Sequence, residues 1–228
     1  MKKNKTELLV DLKKYCPGIK IHLDGKRLQR EKTAYTRLEV AKRLRQAQKL
    51  LPKGWNFVLR DAWRPAYMQC RIYYNFLEKA RAKYPQATEV ELQKRIAKYV
   101  AKWYGEKVSG HLTGGAFDIR LIDKNGHRLP MISRQLSYEE NAQPIQPKLA
   151  AHIQRNRQIM ADALRAAGFY NNKNEYWHWS YGDYFWARAN GRRAALYLVA
   201  PDQLKIYDNE ACPCGSEKTF INCCGKLS

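Results

Sequence analysis

Two short segments, far apart in the sequence, carry the side chains from which a single metal site can be built. The first holds His111 and Asp118, and the second holds Glu175 and His178, 60 residues after the aspartate. Two imidazoles and one carboxylate suit a catalytic zinc ion, because three protein ligands leave a fourth position open for water. The second carboxylate can take a proton from that water. If the fold brings the two segments together, the chain is expected to be a metallopeptidase.

The spacing within each segment requires a departure from a flat strand. His111 and Asp118 are seven residues apart, so on one strand they would point to opposite faces of the sheet. A tight bend at Thr113-Gly114-Gly115 would let the histidine fold back over the strand that carries the aspartate. Glu175 and His178, three residues apart, pose the same problem, and we expect the glutamate on a bulge or on the loop before the strand.

The hydrophobic pattern predicts an α+β fold, a small antiparallel sheet flanked by helices. The pattern predicts helices over 35–51, 67–82, 88–103 and 147–168, the third of which starts with a Thr88–Glu91 capping box. It predicts strands over 55–61, 117–121 and 169–181, and in the second of these the apolar residues alternate with Asp118 and Arg120, so that Asp118 lies on the polar face. Asn125-Gly126 is a hairpin signal that returns the chain towards Met131, and residues 132–146 read as irregular. No apolar run reaches about 18 residues and no signal peptide is recognisable, so a cytoplasmic protein without a membrane span is expected.

The cysteine distribution predicts a second, structural metal site. Four of the six cysteines crowd into the C-terminal segment, namely Cys212, Cys214, Cys223 and Cys224. Four thiolates so close together can close a tetrahedral zinc site without an open position. So short a segment has no core of its own, and metal binding would supply its folding free energy. We therefore predict a catalytic domain at 1–208 and a zinc knuckle at 209–228, two zinc ions in all.

The charge of the chain is concentrated near its N-terminus. Residues 1–60 hold 17 lysines and arginines against 5 aspartates and glutamates, out of a net charge of +21 for the whole chain. A basic region such as 1–34 attracts polyanions such as nucleic acid or cell-wall polymer, but it serves equally well as a solvated surface. The charge alone therefore identifies no partner. The remaining histidines are not expected to be ligands: His22, His127 and His152.

The two segments resemble a known family once their fixed positions are compared. The pattern Ser-x-His-x-x-Gly-x-Ala-x-Asp at 109–118, followed by Glu-x-Trp-His at 175–178, is similar to that of the zinc D-Ala-D-Ala peptidases. The Asp-Ala-Trp-Arg-Pro segment at 61–65 resembles the VanX-type D-alanyl-D-alanine dipeptidases within them. The resemblance covers about residues 35–184.

This resemblance implies a role for each matched side chain. It implies a catalytic zinc ion held by His111, Asp118 and His178. Glu175 would be the general base and then the general acid, and Arg64 would stabilise the oxyanion. Ser109 and Trp177 would contact the substrate. From the residues alone, Arg64 is equally readable as a surface arginine paired with Asp61.

The chain also departs from the dipeptidase pattern where those enzymes bind the free amine of their substrate. Leu136 stands where an acidic residue is expected, with Glu139 and Glu140 as candidate replacements, and the aromatic segment expected before Tyr35 is missing. D-Ala-D-Ala dipeptidase is the first interpretation. A D,D- or L,D-carboxypeptidase acting on peptidoglycan peptides is the second.

The C-terminal cysteines resemble the SEC-C motif, a small zinc module. That resemblance implies a protein partner, such as the translocation chaperone SecB or ribosomal components. A non-catalytic adaptor that binds protein or nucleic acid is therefore a third interpretation. The presence of every expected ligand, of Glu175 and of Arg64 argues against it.

Overall fold

The computed structural model describes residues 8–22, 34–105, 107–200 and 207–227. Its strands are β1 (Leu9–Asp11), β2 (Lys20–Ile21), β3 (Tyr35–Arg37), β4 (Asn56–Asp61), β5 (Ala116–Ile122), β6 (Tyr170–Asn171) and β7 (His178–Ser180). The main sheet has the order β2-β4-β5-β7-β6, and only its first pair is parallel. Strands β1 and β3 form a separate antiparallel pair. The α+β class with a small, mainly antiparallel sheet is confirmed.

Helices alternate with these strands along the chain. They are α1 (Leu12–Tyr15), α2 (Leu38–Lys49), α3 (Ala66–Lys83), α4 (Glu89–Ile96), α5 (Gly110–Thr113), α6 (Tyr138–Ala142), α7 (Ala151–Ala166) and α8 (Tyr184–Ala189), followed by the 3-10 helices Phe220–Asn222 and Cys224–Leu227. No helix in the described ranges has the length and apolar character needed to cross a bilayer.

Strand β5 divides its side chains between a core and a cleft. Phe117, Ile119 and Leu121 are fully buried, and they share one apolar cluster with residues of α2 and α7. Because successive strand residues point to opposite faces, Asp118 and Arg120 point away from this core. The alternation read from the sequence is confirmed, and it places the first carboxylate of the expected site on the open face.

Several predicted boundaries are wrong at their ends. Tyr35–Arg37 is a strand rather than the start of the helix that follows it. Helix α4 has the predicted Thr88–Glu91 capping box but ends at Ile96, well short of residue 103. Helix α7 begins at Ala151, four residues after Pro147, and ends at Ala166, two residues before Gly168, which has a positive φ of 85°.

Two loop predictions also need correction. Residues 132–146 contain α6, which begins with a capping box formed by Ser137 and Glu140. The predicted strand 169–181 is a pair of short strands, β6 and β7, joined by a loop. After the turn at Gly126 the chain returns through one bridge between Ile122 and Arg128, without forming a strand.

The C-terminal cysteine segment packs on the catalytic part of the chain. Tyr67 of α3 stacks on Tyr207 with ring centroids 4.4 Å apart, and meets Phe220 edge-on at 5.3 Å. The indole nitrogen of Trp103 donates to the carbonyl of Cys224 at 3.3 Å. The segment therefore shares the apolar cluster of α3 and α4 and is not an isolated appendage. The division into domains at residue 208 stays a prediction, and residues 1–7 and 23–33 of the basic region 1–34 lie outside the described residues.

Candidate active site

Three side chains from separate elements converge on one point of the open sheet face. His111 lies on α5, and Asp118 and His178 are register partners on β5 and β7. Nε2 of His111 lies 3.2 Å from Nδ1 of His178 and 3.4 Å from Oδ1 of Asp118. The remaining distance, from Nδ1 of His178 to Oδ1 of Asp118, is 3.0 Å. The structure brings together all three residues that the sequence predicts as ligands.

These three distances have the dimensions of a zinc site. Ligand atoms about 2.0–2.1 Å from a tetrahedral ion lie about 3.3 Å from one another. The triangle formed by the two imidazole nitrogens and the carboxylate oxygen agrees with this spacing. Three donors at the edge of a cleft leave a fourth direction open, as a catalytic site requires. The donor set therefore fits a zinc ion.

The backbone fixes which nitrogen of His111 faces the other ligands. Its Nδ1 lies 2.7 Å from the carbonyl oxygen of Ala62, to which it donates, so Nε2 is left as the acceptor that can bind metal. The bend predicted after His111 is present, since Gly114 has a φ of 70° and ends the short helix α5. A residue with a side chain would be strained at this φ and would also collide with Leu9.

The electrostatics of the triad favour an ionised carboxylate. Burial alone would raise the pKa of Asp118, but the adjacent His111 and then His178 hold that pKa far below its usual value. Burial likewise opposes protonation of His178, yet the hydrogen bond that its ring donates to Asp118 raises the pKa of His178 to about 9. The site thus attracts positive charge, which a metal dication would supply in place of protons.

Glu175 lies beside the triad without joining it. It sits on the loop between β6 and β7, where Nδ2 of Asn171 donates to its carbonyl at 3.0 Å. Glu175 and His178 would point to opposite faces if both lay on one strand. Because Glu175 lies on this loop, and not on a bulge of the strand, it can line the same cleft as His178. Burial raises the pKa of the Glu175 carboxyl, and nearby Asp118 adds to the effect, while His178 opposes it. A carboxylate with a raised pKa at the wall of a cleft suits a general base.

Arg64 is held in place by two side-chain partners. Its Nη2 donates to Oδ2 of Asp61 at 2.5 Å, and its Nη1 donates to Oε1 of Gln69, also at 2.5 Å. Gln69 in turn donates to the carbonyl of Ala101 at 2.7 Å. Arg64 pairs with Asp61 as the second reading expected, but its side chain is only 11% exposed and lines the cleft, so it is not a surface arginine. Its role at the oxyanion stays a prediction. Burial opposes the charge on Arg64, but Asp61 raises the net pKa of the guanidinium.

The cleft around these groups has a volume of about 680 Å³. Ser109 and Trp177 both line it, as does Tyr138, whose ring centroid lies 5.8 Å from that of Trp177. Neither Glu139 nor Glu140 belongs to its wall, and Glu140 instead accepts a hydrogen bond from Lys148 at 2.7 Å. The replacement of the missing acid by one of these glutamates is therefore not supported by the structure.

The remaining histidines stay away from the triad, since His22, His127 and His152 are all exposed.

Sequence reasoning missed three groups of the cleft: Gln69, which orients Arg64, and the pair Arg60 and Arg120. The position of Arg120, two residues after Asp118 on the same strand, was a signal that could have found it. Gln69, five residues after Arg64, had no comparable local signal.

The four C-terminal cysteines also converge. Their sulfur atoms all lie within 4.8 Å of one another, with Cys214 at 3.4 Å from Cys212 and 3.5 Å from Cys223. Thiolates about 2.3 Å from a tetrahedral zinc ion are about 3.8 Å apart, so this cluster fits a closed zinc site. Cys16 and Cys70 are buried free thiols, and Cys70 on α3 lies beside Cys224.

The chain is similar to several known proteins. Residues 209–226 match the SEC-C motif. A D-alanyl-D-alanine dipeptidase of Synechocystis sp. is 29% identical over 193 residues, which cover 75% of this chain and 76% of the relative.

Two solved structures of VanY-type enzymes are similar at low identity. The D,D-pentapeptidase VanY with Zn(II) is 14% identical with a TM-score of 0.42, over 71% of this chain and 82% of the other. VanYB with D-alanine-D-alanine is 15% identical with a TM-score of 0.43, over 71% of this chain and 80% of the other. The D-ala-D-ala dipeptidase family matches residues 19–192, most of the chain. The chain thus belongs to the D-Ala-D-Ala dipeptidase family and is a metallopeptidase.

Proposed function

We propose that this protein hydrolyses the peptide bond between two D-alanine residues, either in the free dipeptide or at the end of a longer peptide. The observation that carries the proposal is the meeting of His111, Asp118 and His178 at ligand spacing, with Glu175 and Arg64 in the same cleft. Family membership and the dipeptidase of Synechocystis sp. support the choice of D-alanyl-D-alanine.

The proposed mechanism assigns one step to each side chain. A zinc ion held by the triad would polarise the scissile carbonyl and make water a better nucleophile. Glu175 takes a proton from the attacking water, whose oxygen bonds to the carbonyl carbon. Glu175 then gives that proton to the departing amine as the C–N bond breaks. Arg64, fixed by Asp61 and Gln69, donates to the oxygen on which negative charge develops. Ser109 and Trp177 border the space for the alanine side chains.

We propose in addition that Cys212, Cys214, Cys223 and Cys224 hold a second, structural zinc ion. Their spacing and the match to the SEC-C motif support this. The part of this segment that packs on α3 and Trp103 is buried, whereas Ile221 is 44% exposed. A protein partner for the knuckle stays a prediction from the resemblance.

The test is an assay for zinc-dependent release of D-alanine from free D-Ala-D-Ala and from an N-blocked tripeptide that ends in the same pair. Cleavage of the free dipeptide alone indicates a dipeptidase, and cleavage of the blocked peptide indicates a carboxypeptidase. Glu175→Gln is expected to keep the zinc and to lose about 10²- to 10⁴-fold in rate. Turnover of neither substrate by the zinc-loaded protein would refute the proposal and favour the adaptor interpretation.

A further inference from the structure

The side chain that orients Arg64 depends on a distant loop. Gln69, near the start of α3, accepts a hydrogen bond from Nη1 of Arg64 and donates one to the carbonyl of Ala101 at 2.7 Å. Gln69 is 1% exposed, so water does not offer its amide another partner. An amide held at both ends has one orientation. The position of the Arg64 guanidinium therefore depends on where the loop places the Ala101 carbonyl.

The loop that carries this carbonyl has no regular secondary structure. Between the end of α4 at Ile96 and residue 105 the chain forms turns and bends, without a helix or a strand. Its anchors are two buried side chains, Val100 at 6% and Trp103 at 3% exposure, in the apolar cluster that α3 shares with the zinc knuckle. A segment without a hydrogen-bonded ladder is held in place by such contacts. The Ala101 carbonyl lies between the two anchors.

The knuckle contacts both elements that hold Gln69. The indole nitrogen of Trp103, two residues after the carbonyl that Gln69 binds, donates to the carbonyl of Cys224 at 3.3 Å. Cys70, the residue after Gln69 on α3, is fully buried and lies beside Cys224. Trp103 also packs on Tyr74 of the same helix, with ring centroids 5.6 Å apart. Cys224 thus lies against the loop and the helix within two residues of the hydrogen bonds of Gln69.

We propose that the zinc knuckle is a positioning element of the active site, which anchors Trp103 and α3 and so fixes, through Gln69, the guanidinium of Arg64. This inference rests on the proposed function, because it concerns the side chain proposed to stabilise the oxyanion. Neither Trp103 nor Cys224 lines the cleft, so both act at a distance from the substrate. An ion bound to the four cysteines would hold Cys224 in place, and occupancy of the second zinc site would then set the activity of the first.

The first test is Trp103→Phe, which keeps an aromatic ring but removes the donor to Cys224. Arg64 is proposed to act on charge that develops in the transition state, so kcat for D-alanine release should fall about 2- to 10-fold with KM unchanged. Trp186→Phe is the matched control, because its indole nitrogen donates to the carbonyl of Gly168 at 3.0 Å, outside the cluster of the knuckle. Its kcat should stay at the wild-type value.

A double-mutant cycle tests the route through Gln69. In Gln69→Leu protein the link to Arg64 is already broken, so adding Trp103→Phe should lower kcat no further. The same fold-loss in both backgrounds would overturn the inference.

A third variant, Cys223→Ser, tests the anchoring without relying on turnover. It should bind one zinc ion fewer than the wild type by metal analysis, and amide hydrogens of residues 97–105 should exchange faster. Unchanged exchange in this segment would overturn the inference. Release of D-alanine by the wild type, with the same kcat in Trp103→Phe and Cys223→Ser, would also overturn it and leave the proposed function intact. No turnover by the zinc-loaded wild type would instead refute the proposed function.

Discussion

Replacement of Phe220 by alanine tests whether the cysteine knuckle and the catalytic part fold as one unit. Phe220 is 6% exposed and meets Tyr67 of α3 edge-on, in the same cluster as Tyr207 and Trp103. Truncating a buried phenylalanine costs about 3–5 kcal/mol, and the loss of the aromatic pair is part of that cost. In a chain of this length, each kcal/mol shifts Tm by about 2–4 °C. We therefore expect a Tm lower by about 6–20 °C.

The measurement is calorimetric unfolding of the zinc-loaded protein, with Ile221→Ala as the matched control. Ile221 is the next residue of the same 3-10 helix but is 44% exposed, so its truncation should cost less than about 1 kcal/mol. A single transition that moves for Phe220→Ala alone supports one cooperative unit. Two separate transitions, with only the smaller one sensitive to Phe220→Ala, would refute the reasoning and support the boundary at residue 208.

Three further predictions concern the metal sites, Arg64 and a buried thiol. Metal analysis should find two zinc ions per chain, and one in His111→Ala, which removes a ligand of the triad alone; two ions remaining in that variant would contradict the assignment. Gln69→Leu removes the acceptor for Nη1 of Arg64 and should lower kcat about 5- to 150-fold with little change in KM, while an unchanged kcat would show that Asp61 alone positions Arg64. Burial raises the pKa of Cys16 to about 12, so native Cys16 should resist iodoacetamide at pH 8 and react only after unfolding, as peptide mapping would show. The pKa of Cys16 is higher in the folded than in the unfolded state, so the buried neutral thiol stabilises the fold at pH values below about 9. This stabilisation should be lost as the pH rises from about 9 towards 12.

The sequence predicted those features that a local pattern encodes. The alternation of Phe117, Ile119 and Leu121 located both the core face and the open face of β5. The Thr88–Glu91 capping box marked the start of α4. The same signature at Ser137 and Glu140 was overlooked, because α6 has only five residues and no apolar repeat to accompany its cap.

Features that depend on contacts between distant segments could not be predicted in this way. The aim of Arg60 into the cleft follows from a shift in register between two strands, which no periodicity along β4 reveals. The docking of the knuckle depends on Tyr67 meeting Tyr207, residues 140 positions apart. The convergence of His111, Asp118 and His178 was predictable only because the patterns at 109–118 and 175–178 together are specific to one family.

The position of the triad has a consequence for the metal-free protein. Strands β6 and β7 have two and three residues, and they hold the edge of the sheet with few backbone hydrogen bonds. An ion bound to Asp118 and His178 fastens this edge to its neighbour and closes a loop of 60 residues, much as a cross-link would. Loss of the ion would then loosen the hairpin of β6 and β7 first. A protease should therefore cut the metal-free protein near Glu175 faster than the zinc-loaded protein.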